Sequence, residues 1–286
     1  MSRFIHAASL AEALAALAPG QGRVLAGGTD LMVALRAARL SGGDLPAELV
    51  DVAAVPELQQ LELEGPAPLV GAGLSFARLA ADPGVRARYP LLAQAAASVG
   101  SQQVRHGATI GGNVANASPA ADGVTALAAL GAVAVIASAQ GQRPCPLGEL
   151  ISAPYQTTLR PQEVILGFAL DPLPARTGQV FAKVGRRQAL SVARLNLAVC
   201  LDERLQDPRL ALGSCFPTPR RLAQVEALLR AGRPGPGLWQ AAGEQAAAHF
   251  TNVCGWRESA AYKVPAIRRV TARTLAQAWA LLGGGS

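Results

Sequence analysis

The spacing of apolar residues predicts helices that alternate with short strands in the first part of the chain. Apolar side chains recur at helical spacing over residues 9–18, and Ser9 with Glu12 forms a capping box at the start of this helix. Residues 23–26 are predicted as a strand and residues 31–40 as a helix. The segment between them therefore joins a strand end to a helix N-terminus, where unpaired N–H groups favour anions.

The rest of the chain continues this mixture. Helices are predicted over residues 75–82, 91–99, 122–130, 220–231 and 238–250. Strands are predicted over residues 49–52, 61–63, 69–72, 133–137, 164–170, 180–185, 196–201 and 209–215. The last three strands are expected to share one sheet, followed by two helices. The order predicts an α+β fold with a domain boundary near residue 178, after the Pro172 and Pro174 break.

Two glycine-rich segments interrupt the pattern, each directly after an apolar stretch. Their sequences are Ala26-Gly27-Gly28-Thr29-Asp30-Leu31 and Thr109-Ile110-Gly111-Gly112-Asn113. Glycine lets the backbone come close to a ligand and adopt positive φ, and successive N–H groups can bind phosphate oxygens. We expect the segments to hold one diphosphate from both sides. A Gly pair alone is more often an ordinary turn, and neither segment fits a Rossmann or P-loop motif.

The chain resembles a known family through these segments and others in the same order. The others are residues 4–36, 117–122 (ASPAAD), 160–166 (RPQEVIL), 181–187 (FAKVGRR) and 257–263 (RESAAYK). Together they resemble the FAD-binding medium subunits of the xanthine dehydrogenase and carbon monoxide dehydrogenase family of molybdenum hydroxylases.

This resemblance implies an α+β architecture of two domains. Residues 1–177 would form a two-part FAD-binding domain of the vanillyl-alcohol-oxidase (PCMH) type, with subdomains of about 1–57 and 58–177. Residues 178–286 would form a smaller C-terminal domain in which helices accompany a sheet.

The resemblance also implies FAD as cofactor and assigns residues to it. These residues are Val24, Leu25, Ala26, Gly27, Gly28, Thr29, Asp30, Leu31, Val99, Thr109, Ile110, Gly111, Gly112, Asn113, Asp122, Ile165 and Lys183. Residues 24–31 would wrap the pyrophosphate, and the N–H groups of residues 109–113 would close on it from the other side.

The other assigned residues would contact different parts of the cofactor. Asp122 would accept hydrogen bonds from the ribose hydroxyls, Lys183 would contact the cofactor, and Val99 and Ile165 would flank the ring system. Two plainer interpretations stay open: Asp122 as a helix cap and Lys183 as a surface residue.

The residues themselves offer little reactive chemistry, so no catalytic residue and no metal site are predicted. No nucleophile has an adjacent base, and the four cysteines have no metal-ligand spacing. An enzyme of this kind takes its chemistry from a cofactor. The resemblance implies a 2Fe-2S small subunit and a large subunit with molybdenum cofactor as partners, and NAD⁺, a quinone or O₂ as acceptor. The four-cysteine insertion of benzoyl-CoA-type reductases is absent from the sequence.

Composition and charge exclude some classes of function and disfavour others. Half of the 286 residues are hydrophobic, and the longest nearly apolar run, residues 125–139, is shorter than the ~20 residues of a membrane span. We therefore expect a cytoplasmic protein. Residues 1–182 hold 11 Arg and 13 acidic residues, whereas residues 183–286 hold 15 basic and 6 acidic ones. With only three Trp and three Tyr, nucleic-acid binding is disfavoured, and this basic part is expected to contact partner subunits or an anionic cosubstrate.

Two other functions stay open at this point. A self-contained flavoenzyme of the UDP-N-acetylenolpyruvoylglucosamine reductase type would need an acid or base near the flavin, and the sequence offers no convincing one. A scaffold that had lost FAD would be expected to lose its small loop residues, and both glycine segments are intact.

Overall fold

A computed structural model describes residues 2–186, 191–256 and 258–283. Arg187 and Arg257, which belong to two of the motifs above, lie outside the described residues. The chain forms two compact units from interleaved segments. The first unit comprises Met1–Leu79, Ser101–Ala117 and Ala132–Leu170; the second comprises Ala80–Gly100, Ser118–Gly131 and Asp171–Ser286. The second unit thus includes two segments that precede the predicted boundary near residue 178, and that boundary stays a prediction.

Strands and helices alternate through the described residues. The strands are β1 (Arg3–His6), β2 (Gly22–Leu25), β3 (Glu48–Asp51), β4 (Leu61–Glu62), β5 (Leu69–Gly71), β6 (Val133–Ser138), β7 (Gly141–Pro146), β8 (Ile151–Ala153), β9 (Gln156–Thr157), β10 (Val164–Ala169), β11 (Thr177–Val184), β12 (Leu195–Asp202), β13 (Arg209–Gly213) and β14 (Arg220–Arg221). The α-helices are α1 (Leu10–Leu17), α2 (Leu31–Leu40), α3 (Phe76–Ala81), α4 (Pro83–Arg88), α5 (Pro90–Ser98), α6 (Gln102–Gly107), α7 (Ile110–Asn116), α8 (Asp122–Ala129), α9 (Leu147–Leu150), α10 (Ala223–Ala231), α11 (Pro236–Cys254) and α12 (Ala260–Ala280). A 3₁₀ turn spans Pro56–Gln59.

The first unit begins with a three-stranded parallel sheet in the order β1-β3-β2. Parallel neighbours need crossover connections, and α1 and α2 provide them. The predicted capping box starts α1: Ser9 Oγ accepts from the N–H of Glu12, and the carboxylate of Glu12 accepts from the N–H of Ala8. The glycine segment after β2 therefore lies between a strand of this sheet and helix α2.

A five-stranded antiparallel sheet in the order β4-β5-β10-β6-β7 completes most of the first unit. Its central strand β10 is buried along nearly its whole length because it is paired on both sides and helix α7 packs against it. Phe168 and Ile136 from β10 and β6 are among the buried core residues. This sheet supports α7, which carries the second glycine segment.

The second unit contains an antiparallel sheet in the order β11-β12-β13-β14. Strand β12 is buried along its full length, and successive side chains point to opposite faces. Leu195, Leu197, Val199 and Leu201 belong to a core cluster shared with α10, α11 and α12. Asn196, on the opposite face of β12, hydrogen-bonds to Asp122 and Thr125 of α8. This face positions two of the predicted cofactor residues.

Several helices differ from the prediction: the short helices α4, α6, α7 and α9 were not predicted, and the C-terminal helices differ as follows. Helix α10 begins at residue 223 and not at 220, because Arg220 and Arg221 pair with β13 as strand β14. The 21-residue helix α12 was not predicted; it contains Pro265, which normally disfavours a helix interior. Within residues 2–186, 191–256 and 258–283, no helix is both long and apolar enough to cross a membrane.

Asp202 ends β12 and organises the turn that follows it. Its carboxylate accepts the backbone N–H groups of Arg204, Gln206 and Asp207 at 2.9, 3.1 and 2.8 Å. Burial alone would raise the pKa of Asp202, but these three bonds outweigh it and hold the pKa below its usual range. The ionised form therefore stabilises the fold.

We expect Asp202→Asn to lower the free energy of unfolding near pH 7 by about 1–3 kcal/mol, because an amide nitrogen would face a backbone N–H. The deficit should shrink as the pH falls through the depressed pKa of the wild-type carboxyl, below about pH 4, where the wild type also loses its charge. Urea unfolding at both pH values measures this. The exposed Asp44→Asn is the matched control, and an equal effect of both substitutions would contradict the prediction.

Candidate cofactor-binding site

The first glycine segment connects β2 to α2 and lies against the backbone that precedes the second segment. A Cβ on Gly27 would overlap the carbonyl oxygen of Gly107, so only glycine permits this approach. Gly28 has a φ of 67°, in the left-handed region that favours glycine. The sequence predicted that the two segments hold one diphosphate from both sides; the structure places Gly27 against Gly107 and Ala108, directly before the second segment, and the diphosphate role stays a prediction.

The first segment also has free donors. Among the hydrogen bonds of the described residues, the backbone N–H groups of Gly27, Gly28, Thr29 and Asp30 have no acceptor. Asp30 is the N-cap position of α2, and its side chain makes no capping bond. Consecutive unpaired N–H groups at a helix N-terminus suit a phosphate group.

The second segment was not predicted to be helical, but it forms the N-cap and first turn of α7. Thr109 is the N-cap, and its Oγ1 accepts from the N–H of Gly112 at 3.0 Å. The N–H of Ile110 donates to Leu74 O, and the N–H of Asn113 donates to Thr109 O.

Gly111 is likewise committed to packing. Its N–H donates to Ala72 O at 2.8 Å, and a Cβ on Gly111 would crowd Ala72. The prediction that residues 109–113 offer free N–H groups to a diphosphate is therefore wrong for residues 110–113, because those groups are already bonded within the chain.

Two features of α7 still suit a ligand. Gly112 is exposed, and a Cβ there would approach only Thr109 Oγ1, at 3.0 Å. The side-chain oxygen of Asn113 is buried and has no hydrogen-bond partner among the described residues. A buried acceptor of this kind requires a donor, and a ligand hydroxyl would supply one.

The remaining polar residues of the predicted site lie in the second unit as a buried ion pair. Asp122 is 5% exposed, and its Oδ2 accepts from Lys183 Nζ at 2.5 Å and from Ser98 Oγ at 3.3 Å. Lys183 Nζ also donates to Ser98 O at 2.9 Å. Asn196 donates to the other oxygen of Asp122 at 2.7 Å.

Neither plainer interpretation of this pair holds. Ala121 is the N-cap of α8, and Asp122 is its first helical residue, so the Asp122 side chain is no cap. Lys183 is no surface residue, because its side chain is 15% exposed. Burial raises the pKa of Asp122, and the charge and hydrogen bond of Lys183, followed by the bonds of Asn196 and Ser98, oppose that rise.

The two apolar residues assigned to the ring system occupy different surroundings. Ile165 is buried on β10, opposite Ile136 and beside an irregularity in the strand pairing. Val99 is half-buried and ends α5. Ser98 and Asn196, which hold Asp122, were missed by the sequence reasoning. The one available signal was Asn196 itself, an amide within an otherwise apolar strand.

Comparisons with known proteins agree with the residues that first suggested a family. The family model "FAD binding domain in molybdopterin dehydrogenase" matches residues 1–172, and "CO dehydrogenase flavoprotein C-terminal domain" matches residues 180–278.

Individual relatives cover nearly the whole chain. The xanthine dehydrogenase FAD-binding subunit of Escherichia coli O157:H7 is 29% identical over 285 residues, which are 98% of this chain and 96% of the relative. The carbon monoxide dehydrogenase medium chain of Hydrogenophaga pseudoflava is 30% identical over 279 residues, 95% of each chain. The solved carbon monoxide dehydrogenase from Hydrogenophaga pseudoflava that lacks the Mo-pyranopterin moiety matches with a TM-score of 0.88 and 28% identity over 98% of each chain.

The packing of the two glycine segments gives a first test of the site. We call residues 27–30, with their unpaired N–H groups, the donor segment. Gly27→Ala should weaken FAD binding at least about tenfold, because the new methyl group would push the donor segment away from Gly107. FAD titration of the apoprotein, followed by flavin fluorescence, measures the dissociation constant. Gly148→Ala in α9 is the control, since a Cβ there meets nothing. Unchanged affinity of Gly27→Ala would rule out the segment as the diphosphate site.

The open side of α7 gives a second test. Gly112→Val should release FAD while the far-UV circular dichroism stays unchanged, because the branched side chain would fill the exposed space at the first turn of α7. Gly148→Val places the same side chain in another helix of the first unit and should keep FAD. If Gly112→Val bound FAD as the wild type does, α7 would have only a structural role.

Proposed function

The chain belongs to the FAD-binding subunits of xanthine dehydrogenase- and carbon monoxide dehydrogenase-type molybdenum hydroxylases, and from this membership we propose an electron-relay function. FAD is its cofactor. We propose that a molybdenum-cofactor large subunit oxidises the substrate, that a 2Fe-2S small subunit delivers the electrons to this chain, and that NAD⁺, a quinone or O₂ receives them.

The single observation that best supports the cofactor part is the donor segment of the first unit. The backbone N–H groups of four consecutive residues, 27–30, have no hydrogen-bond acceptor in the described chain. Gly27 and Gly28 have no side chain of their own that could cover this backbone. These donors would bind the pyrophosphate of FAD. The unpartnered oxygen of Asn113 would accept from a cofactor hydroxyl, which a diphosphate alone does not have.

The chain's own residues bind and orient the cofactor, and FAD when bound supplies the capacity to take up and release two electrons. Asp122 and Lys183 are proposed as further cofactor contacts, with Val99 and Ile165 beside the ring system. The ion pair keeps the charge of Lys183 compensated in a buried place, since an unpaired buried ammonium is costly.

The proposal of separate iron–sulfur and molybdenum subunits rests on the family and on the cysteines. Cys145, Cys200, Cys215 and Cys254 form no disulfide bond within the described residues, and their positions in the sequence follow no cluster-binding spacing. Burial raises the pKa of Cys200 to about 12, so its thiol stays protonated and unreactive. Four cysteines without a disulfide agree with a reducing compartment, and we propose the cytoplasm.

The basic C-terminal part is proposed as a contact surface for partner subunits. Residues 183–286 carry 15 basic against 6 acidic residues. Attraction between exposed charges is screened beyond about 10 Å at 0.1 M salt, so we expect subunit association to weaken as salt rises.

The relay is tested by mixing the oxidised FAD-loaded chain with the small subunit from its own gene neighbourhood, reduced by dithionite and freed of excess reductant. We expect the flavin absorption to bleach while the cluster signal of the small subunit disappears from the EPR spectrum. The same chain with oxidised small subunit is the control. Absence of electron transfer would contradict the relay.

Activity of the lone chain separates the relay from a self-contained flavoenzyme. Xanthine or carbon monoxide, the substrates named by the relatives, should reduce no dye with the lone chain. Coexpression with the neighbouring subunits is required for turnover of the physiological substrate. Substrate oxidation by the chain alone would favour the self-contained reductase type.

A further inference from the structure

Three neighbouring strand positions in the second unit form a row that faces the start of α8. Lys183 of β11 lies opposite Asn196 of β12, and Asn196 lies opposite Gly213 of β13. Directly opposite residues of antiparallel strands share a face of the sheet. Asn196, in the middle, is 0% exposed, so its amide must find its hydrogen bonds inside the protein.

Two partners of Asn196 lie on α8 one turn apart, and a third, Ala120 O just before α8, accepts from Asn196 Nδ2 at 3.4 Å. Asn196 Nδ2 donates to Asp122 Oδ1 at 2.7 Å, and Thr125 Oγ1 lies 3.0 Å from Asn196 Oδ1. An ionised carboxylate only accepts, so the amide must turn its NH₂ towards Asp122. Thr125 then donates to the amide oxygen, although Ala121 O is also within its reach.

Gly213 makes this arrangement possible. A Cβ at Gly213 would overlap both Asn196 Oδ1 and Thr125 Oγ1. The absence of a side chain on β13 therefore leaves the space in which Asn196 and Thr125 meet. Asp122 and Thr125 of α8, with the space left by Gly213 of β13, therefore fix the amide of Asn196 in one orientation. In it, the NH₂ group points at the carboxylate of Asp122.

These contacts also fix the direction of the Lys183 ammonium group. Two of its three N–H donors go to Asp122 and to Ser98 O, and the described residues supply no acceptor for the third. We propose that Asn196 is a positioning residue for the cofactor: its amide fixes the carboxylate of Asp122, which holds Lys183 with one N–H left for FAD. This rests on the assignment of Asp122 and Lys183 to FAD under the proposed function.

The role predicts a pH signature. The groups that face the Asp122 carboxyl are Ser98 from α5, Lys183 from β11 and Asn196 from β12; of these, Lys183 is titratable. Burial already raises the pKa of Asp122, and loss of the Asn196 bond raises it further. Lower pH then protonates Asp122, and Lys183 loses the partner that orients it.

The test is the dissociation constant of FAD for the full-length apoprotein at about pH 6 and about pH 8.5. Asn196→Leu keeps the shape of the side chain and removes all of its hydrogen bonds; we expect about tenfold weaker FAD binding near pH 6 and a smaller loss near pH 8.5. Thr125→Val removes the orienting donor and should show the same pH trend more weakly. Leu197→Ala, on the opposite face of the same strand, should lower stability but leave the dissociation constant unchanged at both pH values.

Lys183→Met separates the possible failures. If it leaves FAD affinity unchanged, the assignment of Lys183 to the cofactor is wrong and the positioning role is overturned with it. If it weakens FAD binding while Asn196→Leu and Thr125→Val bind FAD as the wild type does at both pH values, the positioning role alone is overturned. A loss of FAD affinity in Asn196→Leu that is the same at both pH values would also overturn it.

Discussion

The first unit depends on a backbone contact that only glycine allows. Gly27 lies so close to the carbonyl of Gly107 that any Cβ would overlap it, and this contact fixes the donor segment beside the start of α7. The approach leaves the N–H groups of residues 27–30 unpaired within the described chain, a cost that a folded protein normally avoids. A bound phosphate group would accept hydrogen bonds from these N–H groups and offset that cost. The segment therefore fits a phosphate-binding role better than that of an ordinary turn.

The neighbouring glycines show that similar motifs can serve different physical purposes. Gly111 is required because Ala72 packs against it, and its N–H is bonded to the same residue. Gly112 is exposed and has nothing but Thr109 nearby. One glycine of the second segment therefore attaches α7 to the sheet, and the other keeps the outer side of the helix clear. Of the two segments, only the first keeps several consecutive N–H groups unpaired among the described residues, which is why the proposed diphosphate donors lie there.

The sequence predicted the local elements of the first unit well because their signals are local. The bounds of α2 agree with the prediction, and the capping box at Ser9 starts α1 as expected. The family resemblance, FAD and the α+β fold are confirmed by the two family models and the solved structure. The second glycine segment misled because Gly disfavours helices, whereas the Thr109 cap and the packing of Gly111 outweigh that preference.

What the sequence could not give is the set of partners that long-range pairing creates. Asn196 meets Asp122 and Thr125, more than 70 positions away, through the register of β12 against its neighbours and the docking of α8. A single sequence does not show which residues so far apart along the chain become neighbours in the fold. The one sign of this network in the sequence was Asn196, a polar residue in an otherwise apolar strand. A buried polar residue is tolerated only if its hydrogen bonds are satisfied. Because the shortest of those bonds ends on the carboxylate of Asp122, the network is suited to fix the direction in which Lys183 points.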